Sequence, residues 1–345
     1  METCNLKKEE PWIDIVKWIA CMLVLLGHFF QSMVKSGIMQ QTALYDWFEH
    51  TIYLFHVPLF FICSGYLYQH HSVVNNFRQW GNNVLKKLWV LGVPYFAFTI
   101  VSYLMKVIFQ GEVNAVNENS LVTTLLFQPM SPYWYLYILF FLFLITPTLR
   151  NKKQTIWITI IAICCFFFQK IKVLKDIYVL QGIAKWELWF LGGMLFCFFR
   201  KKEKQKMKYV LISVLLIPMT LLGYNKVMST TVCVIYELIG GMLGCMAIIC
   251  FSLKIQERIP KKLILFSRRN TLPVFLMHTI FAAGIRSILL KLGVTSAALH
   301  IAFGISGSLI LPIIAVAIMR KSKWMYFWIQ PDCLFVKNKK ETDEL

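Results

Sequence analysis

The chain has 345 residues, of which 58% are hydrophobic, 15% are aromatic and only 15% are charged, and its mean hydropathy is +0.60. This composition excludes a soluble globular protein and indicates a polytopic helical membrane protein. The formal net charge of +19 does not indicate nucleic-acid binding, because the basic residues cluster in short connections between apolar stretches, where they set the orientation of membrane spans.

Ten apolar segments have lengths that suit a hydrocarbon core of about 30 Å, although the fifth and sixth are short. We therefore predict an all-α polytopic transmembrane bundle of about ten spans, forming one membrane domain over residues 1–345. The segments are 12–34, 51–69, 88–109, 133–149, 155–170, 186–199, 208–224, 230–252, 271–291 and 298–319.

Alternate connections between these segments are rich in lysine and arginine, which assigns them to the cytoplasm. An even number of spans then leaves both ends of the chain, residues 1–11 and 320–345, on the cytoplasmic side. We expect no appended soluble domain, which is typical of a protein of the bacterial plasma or inner membrane. We predict a multi-pass location there, with the lipid bilayer as its surroundings.

The first apolar segment carries three ionisable residues on one helical stripe. Lys17 and His28 are eleven residues apart, so they face within roughly 20° of each other and lie about 16 Å apart along the axis; Asp14 shares the stripe. Ionisable groups at membrane depth are costly and face a bundle interior or a wet cavity, which makes this a candidate site. We expect an ion pair between Asp14 and Lys17. A structural histidine bonded to a neighbouring helix is an equally good interpretation of His28.

The second apolar segment, which enters from the outer side, brings a second histidine to a similar depth. His56 lies about five residues inside its start, so the imidazoles of His28 and His56 can share one cavity in the outer half. Ser64 and Gly65 lie deeper in the same segment. A Ser-Gly pair more often serves close helix packing than a functional site.

The cysteines and histidines do not indicate a metal or disulfide framework. Eight of the ten cysteines fall within predicted spans, and neither a Cys-x-x-Cys nor a His-x-x-x-His spacing occurs. The cysteines are most simply small apolar fillers. We predict neither a metal nor a bound cofactor.

Four blocks of residues occur in a distinctive order, and they extend over nearly the whole chain. They are Asp14-Ile-Val-Lys17-x-Ile-Ala20 with His28 at a fixed spacing, His56-Val-Pro-Leu-Phe-Phe-x-x-Ser64-Gly65-Tyr66, Trp134-Tyr135-Leu136, and Asn270-Thr271-Leu272-Pro273-Val274-Phe275-Leu276-Met277-His278. Together with the count of ten spans, these blocks resemble the acyltransferase-3 family. Its members are integral-membrane enzymes that O-acylate cell-surface carbohydrates.

The resemblance implies a cytoplasmic acyl-CoA, most simply acetyl-CoA, as co-substrate and a sugar or glycan hydroxyl at the outer face as acceptor. His28 is then the catalytic residue, which takes the proton from the acceptor hydroxyl; a covalent acyl-histidine is the alternative chemistry. Basic residues at the inner face are expected to bind the donor phosphates. These are Lys17, Lys86 and Lys87, although orientation of the spans explains Lys86 and Lys87 equally well.

Six further residues are expected to position these groups or to lie on the acceptor side. Trp134 opens the fourth segment, where a tryptophan is more often an interfacial anchor than a ligand contact. His278 is expected roughly 12 Å from the cytoplasmic end of its helix, where it either lines the donor channel or is structural. The full set is Asp14, His56, Ser64, Gly65, Trp134 and His278.

The chain departs from the family pattern at its basic residues. Lys17 stands where an arginine is expected, which keeps the charge but loses the planar fork that suits phosphate. The family also has two arginines three residues apart before the proline of the third span; here Lys87 fits the first position, Val90 occupies the second, and Lys86 is the nearby substitute. Donor binding is therefore weaker or arranged differently, and a catalytically reduced member is one interpretation.

The leading hypothesis is an integral-membrane O-acyltransferase that acetylates a surface polysaccharide, an exopolysaccharide or a lipid-linked sugar. A transporter or flippase is the chief alternative, because buried charges and Pro- or Gly-interrupted spans also occur in carriers. A carrier is expected to have two related halves, and the pattern of the first span does not recur in the second half. A non-catalytic partner in polysaccharide export is a third interpretation.

Overall fold

The structure, a computed structural model, describes residues 10–71, 74, 76–109, 119–169, 176–199, 215–223 and 230–334. In these residues the regular structure is helical throughout, and a π-helical turn at Leu88–Gly92 joins α3 to α4. The elements are α1 (Pro11–Lys35), α2 (Ala43–His71), α3 (Phe77–Lys87), α4 (Val93–Ile108), α5 (Leu121–Leu126), α6 (Trp134–Ile145), α7 (Lys152–Phe168), α8 (Tyr178–Phe199), α9 (Leu216–Gly223), α10 (Thr230–Ile255), α11 (Lys261–Lys291), α12 (Ala297–Met319), α13 (Lys323–Phe327) and a 3₁₀ turn at Pro331–Leu334.

Among the described residues, seven helices are long and apolar enough to cross a membrane. They are α1, α2, the continuous helix formed by α3 and α4, α8, α10, α11 and α12. The predicted all-helical, multi-pass architecture is confirmed. The count of ten spans and the cytoplasmic location of both ends stay predictions.

The predicted spans that fall short of this length lie in the middle of the chain. The predicted fourth span, residues 133–149, is a helix of only 12 residues that ends at Ile145. At 1.5 Å per residue it is about 18 Å long, well under the thickness of a bilayer core. Pro147 explains this end, because a proline disfavours the helical conformation of the residue before it. For the predicted seventh span, only 216–223 lie within the described residues.

Several helix ends follow from local side-chain chemistry. The side chains of Asn76 and Asn151 accept hydrogen bonds from the first-turn N–H groups of α3 and α7, which otherwise lack partners. Beyond the last turn of α1 the chain reverses at Gly37, whose φ is +72°. That conformation is accessible to glycine at little cost, so α1 stops there.

Helix α1 lies at the centre of the bundle, where it packs against α2, α10, α11 and α12, while α2 packs most extensively against α8. Trp12 at the start of α1 is completely buried, and its ring meets the ring of Tyr66 in α2 edge to face, with centroids 5.1 Å apart. Trp12 therefore anchors the start of α1 against α2.

A proline inside α11 leaves a backbone carbonyl without its helical partner, and an arginine at the end of α12 bonds to that carbonyl. Pro273 has no N–H group, so the carbonyl of Arg269 four residues earlier loses its helical partner. Arg320 donates a hydrogen bond to that carbonyl at 2.8 Å. This contact joins the end of α12 to α11 on the side of the bundle where α1 begins.

Candidate functional site

Three histidines from three different helices form the centre of the candidate site. His28 of α1 and His278 of α11 have ring centroids 5.5 Å apart, and His28 also interacts electrostatically with His56 of α2. His56 is 3% exposed and His278 1%, whereas His28 is partly exposed. The bundle thus brings together His28 and His56 and adds His278. We call these three residues the histidine cluster.

The position of His278 corrects one sequence-based expectation. Helix α11 begins at Lys261, about ten residues before the predicted start of the span. His278 therefore lies 17 residues, or about 25 Å, from the start of its helix rather than roughly 12 Å. The imidazole of His278 therefore lies at the level of His28 and not near the start of the helix.

Backbone hydrogen bonds orient the two buried imidazoles of the histidine cluster. His56 Nδ1 lies 2.6 Å from the carbonyl oxygen of Ile52, and His278 Nδ1 lies 2.8 Å from that of Phe275. A carbonyl only accepts, so each Nδ1 carries the proton and each Nε2 is left as an acceptor in the neutral ring. Among the described residues His278 Nε2 has no hydrogen-bond partner. The surroundings of His28 are thus rich in acceptor nitrogens.

His28 Nε2 faces a hydroxyl that the sequence analysis did not single out. Ser131 Oγ lies 3.4 Å from His28 Nε2, and Ser131 is exposed. Its segment is held in place by Tyr133, whose hydroxyl donates to the carbonyl of Leu276 at 3.0 Å and lies 2.7 Å from Ser102 Oγ. The sequence signal was weak, because Ser131 lies in a loop with no periodic pattern, just before Trp134.

At the other end of α1, Asp14 forms an ion pair between helices. The guanidinium of Arg268 in α11 contacts Asp14 Oδ2 through Nη2 at 2.8 Å and Nε at 2.9 Å. The predicted ion pair between Asp14 and Lys17 was therefore wrong: among the described residues the carboxylate pairs across the helix interface with the longer, planar arginine. Lys17 is partly buried and acts electrostatically on Cys63 of α2.

The other predicted donor-side lysines lie at the end of α3. Lys86 is exposed, and Lys87 Nζ lies 4.1 Å from the centroid of the Phe143 ring in α6, a cation–π geometry. The sequence analysis assigned Arg268 no role beyond orientation of the spans. The structure adds it to Lys17 as a second cation beside the start of α1.

Three further predicted residues make packing contacts away from the histidine cluster. Ser64 Oγ lies 3.1 Å from the hydroxyl of Tyr135, and Ser64 is eight residues, or about 12 Å, along α2 from His56. A Cβ atom added to Gly65 would lie 1.8 Å from the carbonyl oxygen of Phe190, so Gly65 permits a close crossing of α2 and α8. The Trp134 ring lies 5.5 Å from that of Trp186.

Chemically, the site offers an accessible imidazole flanked by two oriented, buried ones, with cations about 16 Å away along α1. An imidazole with a free Nε2 next to a hydroxyl can remove the proton of that hydroxyl as it attacks an electrophile. Among the described residues no group of three His, Cys, Asp or Glu side chains is arranged to hold a metal ion. The imidazole of His28 and the neighbouring hydroxyl of Ser131 point to proton transfer.

Comparison with known proteins gives one family match and one curated relative. A family model described as an acyltransferase domain matches residues 10–317. The Nodulation protein NolL of Mesorhizobium japonicum (strain LMG 29417 / CECT 9101 / MAFF 303099) is 29% identical over 151 residues, which is 42% of this chain. The match spans 37% of that protein's own length. No solved structure matches.

Proposed function

The chain belongs to the acyltransferase-3 family, and on that premise we propose that it is a membrane O-acyltransferase of bacterial surface sugars. The acyl group comes from cytoplasmic acyl-CoA, most simply acetyl-CoA. The acceptor is a hydroxyl of a surface polysaccharide, an exopolysaccharide or a lipid-linked sugar. The observation that carries this proposal is the partly exposed imidazole of His28, with a hydroxyl 3.4 Å from its Nε2.

The separation of charges along α1 suits a reaction between substrates from opposite sides of a membrane. With the start of α1 in the cytoplasm, Lys17 and Arg268 lie where the phosphates of acyl-CoA arrive, because cations attract and hold phosphate. His28 lies about 16 Å further along α1, in the outer half of a 30 Å core. The thioester needs to reach past the middle of the bilayer, and the acceptor hydroxyl meets it from the outer side.

His28 acts as a general base in this mechanism. The acceptor hydroxyl takes a position like that of Ser131 Oγ, His28 Nε2 removes its proton, and the hydroxyl oxygen attacks the thioester carbonyl. The C–S bond then breaks, and the proton on His28 is available to the leaving thiolate. The alternative is a covalent acyl-histidine formed by attack of Nε2 itself. Incubation of the protein with acyl-CoA radiolabelled in its acyl group would distinguish the two mechanisms, since only the covalent route leaves label on His28.

The donor-binding role of Lys17 predicts a graded response to substitution. Lys17→Gln removes a cation that meets donor phosphate, so the KM for acyl-CoA is expected to rise about 10-fold, a loss of roughly 1.5 kcal/mol. Lys17→Arg keeps the charge and adds the planar fork, so it is expected to preserve or lower that KM. Initial rates at varied acyl-CoA, with the protein in lipid nanodiscs, give both values.

The matched control for Lys17 is Lys152→Gln, because Lys152 is exposed at the start of α7. That variant is expected to keep the wild-type KM. A marked drop in activity of Lys17→Arg would contradict phosphate contact and would show that the pocket is built around a compact ammonium group.

The proposed function is tested in cells by the ester content of the surface glycan. Proton NMR before and after mild alkali reports alkali-labile acyl groups in cells that carry the intact gene, a deletion or His28→Ala. Loss of the signal in both mutants supports the acyltransferase. If the glycan itself disappears in the deletion, the transporter or export-partner interpretation is favoured instead. If the signal is unchanged, surface glycan is not the acceptor.

A further inference from the structure

A buried arginine lies inside a membrane span, and its side chain contacts a hydroxyl group. Arg286 of α11 is 6% exposed and donates a hydrogen bond to the hydroxyl of Ser32 in α1. Within the part of the chain that the structure describes, no acidic side chain forms an ion pair with Arg286. A charged group in a span is costly and is normally paired, so this guanidinium calls for an anion from outside the protein.

The guanidinium of Arg286 lines a narrow recess between α1, α11 and α12. The recess has room for about one water molecule, 10 Å³. It therefore has room for a single oxygen atom of an anionic group but not for a sugar ring. The other lining residues are Phe29, Ser32, Met33, Ala282, His300 and Gly304.

The recess lies directly beyond the histidine cluster, towards the end of the bundle assigned to the acceptor. Ser32 follows His28 by four residues, and Arg286 follows His278 by eight, which are rises of about 6 and 12 Å in the same direction. Lys35 in the last turn of α1 adds a second cation on this side of His28, and Glu49 of α2 accepts a hydrogen bond from Gln31 at the same end. The anion site is therefore assigned to the buried guanidinium of Arg286 and not to the overall charge of this end.

An open apolar groove of about 340 Å³ runs between the same two helices, α11 and α12. Ile285 and Leu289 line it on α11, and Phe303, Gly307 and Ile310 line it on α12. Ile285 directly precedes Arg286, so the groove and the recess lie on neighbouring faces of one helix pair. An apolar groove beside a buried cation matches a ligand that joins a hydrocarbon chain to a phosphate.

We infer that Arg286 binds a phosphate oxygen of the acceptor and that the groove between α11 and α12 holds the acceptor's hydrocarbon chain. The acceptor is then a sugar linked to a lipid through phosphate, whose hydroxyl is presented to His28. The role of this ligand as an acceptor rests on the proposed function. It selects the lipid-linked sugar among the three acceptor classes named above.

The test measures binding rather than acyl transfer, so it remains informative if the proposed function fails. A ligand that binds the native state raises the unfolding midpoint. Protein in phosphatidylcholine nanodiscs is titrated with farnesyl phosphate, farnesol or inorganic phosphate. Farnesyl phosphate is expected to raise the midpoint of the wild type, and the other two are expected to leave it unchanged. Arg286→Gln is expected to bind farnesyl phosphate roughly 10- to 100-fold more weakly.

Two variants accompany Arg286→Gln. Lys262→Gln also removes a cation, at an exposed position of the same helix, and is expected to bind farnesyl phosphate like the wild type. Arg286→Lys keeps the charge, and it is expected to bind with an intermediate affinity even if Arg286→Gln does not fold.

Three outcomes would overturn the inference. An equal shift with farnesol would make the groove an apolar site without a phosphate contact. An equal shift with inorganic phosphate would make the recess a site for free anions. Stabilisation by phosphatidylglycerol in the nanodisc, to the same extent and lost in Arg286→Gln, would assign the cation to bulk lipid headgroups. A different result would separate the two proposals. If the glycan NMR signal is unchanged but farnesyl phosphate raises the unfolding midpoint, the lipid phosphate site is supported and the proposed acyl transfer to surface glycan is not.

Discussion

Replacing His28 with alanine is expected to lower acyl transfer by roughly 10²- to 10⁴-fold, the range that general acid–base groups contribute. The amount of protein in the membrane is expected to remain that of the wild type. His28 is partly exposed, and its hydrogen bond is to the exposed Ser131 at 3.4 Å, so truncation leaves no buried polar group unsatisfied. Acyl transfer in nanodiscs and immunoblots of membrane fractions measure the two quantities.

The control for His28→Ala is His71→Ala, since His71 is exposed at the far end of α2. That variant is expected to keep wild-type activity. Loss of the His28→Ala protein from the membrane would make His28 structural, which the sequence alone allowed with equal weight. A fall in activity of less than about 10-fold would argue that another group takes the proton.

His278→Ala provides a contrast with His28→Ala. His278 is buried, and its Nδ1 hydrogen bond to the Phe275 carbonyl orients the ring. We expect this variant to lower kcat with little change in the KM for acyl-CoA, because it disturbs the surroundings of His28 and not the donor phosphates. An increase in the KM for acyl-CoA without a change in kcat would indicate that His278 lines the donor channel.

The parts of the site that the sequence predicted are those that depend on a single helix. Lys17 and His28 share a stripe because of helix periodicity, and His56 reaches the depth of His28 because both lie near the same end of consecutive spans. Neither argument needs the packing of the bundle. The all-helical, multi-pass fold followed from composition and apolar segments for the same reason.

The parts that the sequence analysis missed depend on contacts between distant segments. Asp14 meets Arg268 because α1 packs against α11, and a spacing of three residues to Lys17 gave no information about that neighbour. Ser131 reaches His28 from a loop, where no periodicity exists. His278 was assigned to the wrong depth because α11 continues through the basic run 261–269, which reads as a cytoplasmic connection.

The second large effect is expected at Gly65, which the family resemblance included among the site residues. A Cβ atom at Gly65 would lie 1.8 Å from the carbonyl oxygen of Phe190, and one at Gly193 would lie 1.9 Å from that of Ile62. The two glycines therefore let the backbones of α2 and α8 touch at one crossing. The obstacle at each position is backbone, which cannot rotate away as the end of a side chain can.

Gly65→Ala is expected to destabilise the protein by roughly 1–3 kcal/mol or more, because α2 and α8 must separate. The expected result is a lower unfolding midpoint in nanodiscs, with specific activity per folded molecule close to the wild type. Gly192→Ala is the matched control: no atom lies within 4 Å of the added Cβ, so it is expected to leave the midpoint unchanged or slightly raised. An unchanged unfolding midpoint together with lost activity in Gly65→Ala would indicate that Gly65 belongs to the catalytic site. Packing of α2 against α8 predicts a loss of stability when a side chain is added at Gly65. Loss of activity without loss of stability would instead mean that the space at Gly65 is needed by the substrate.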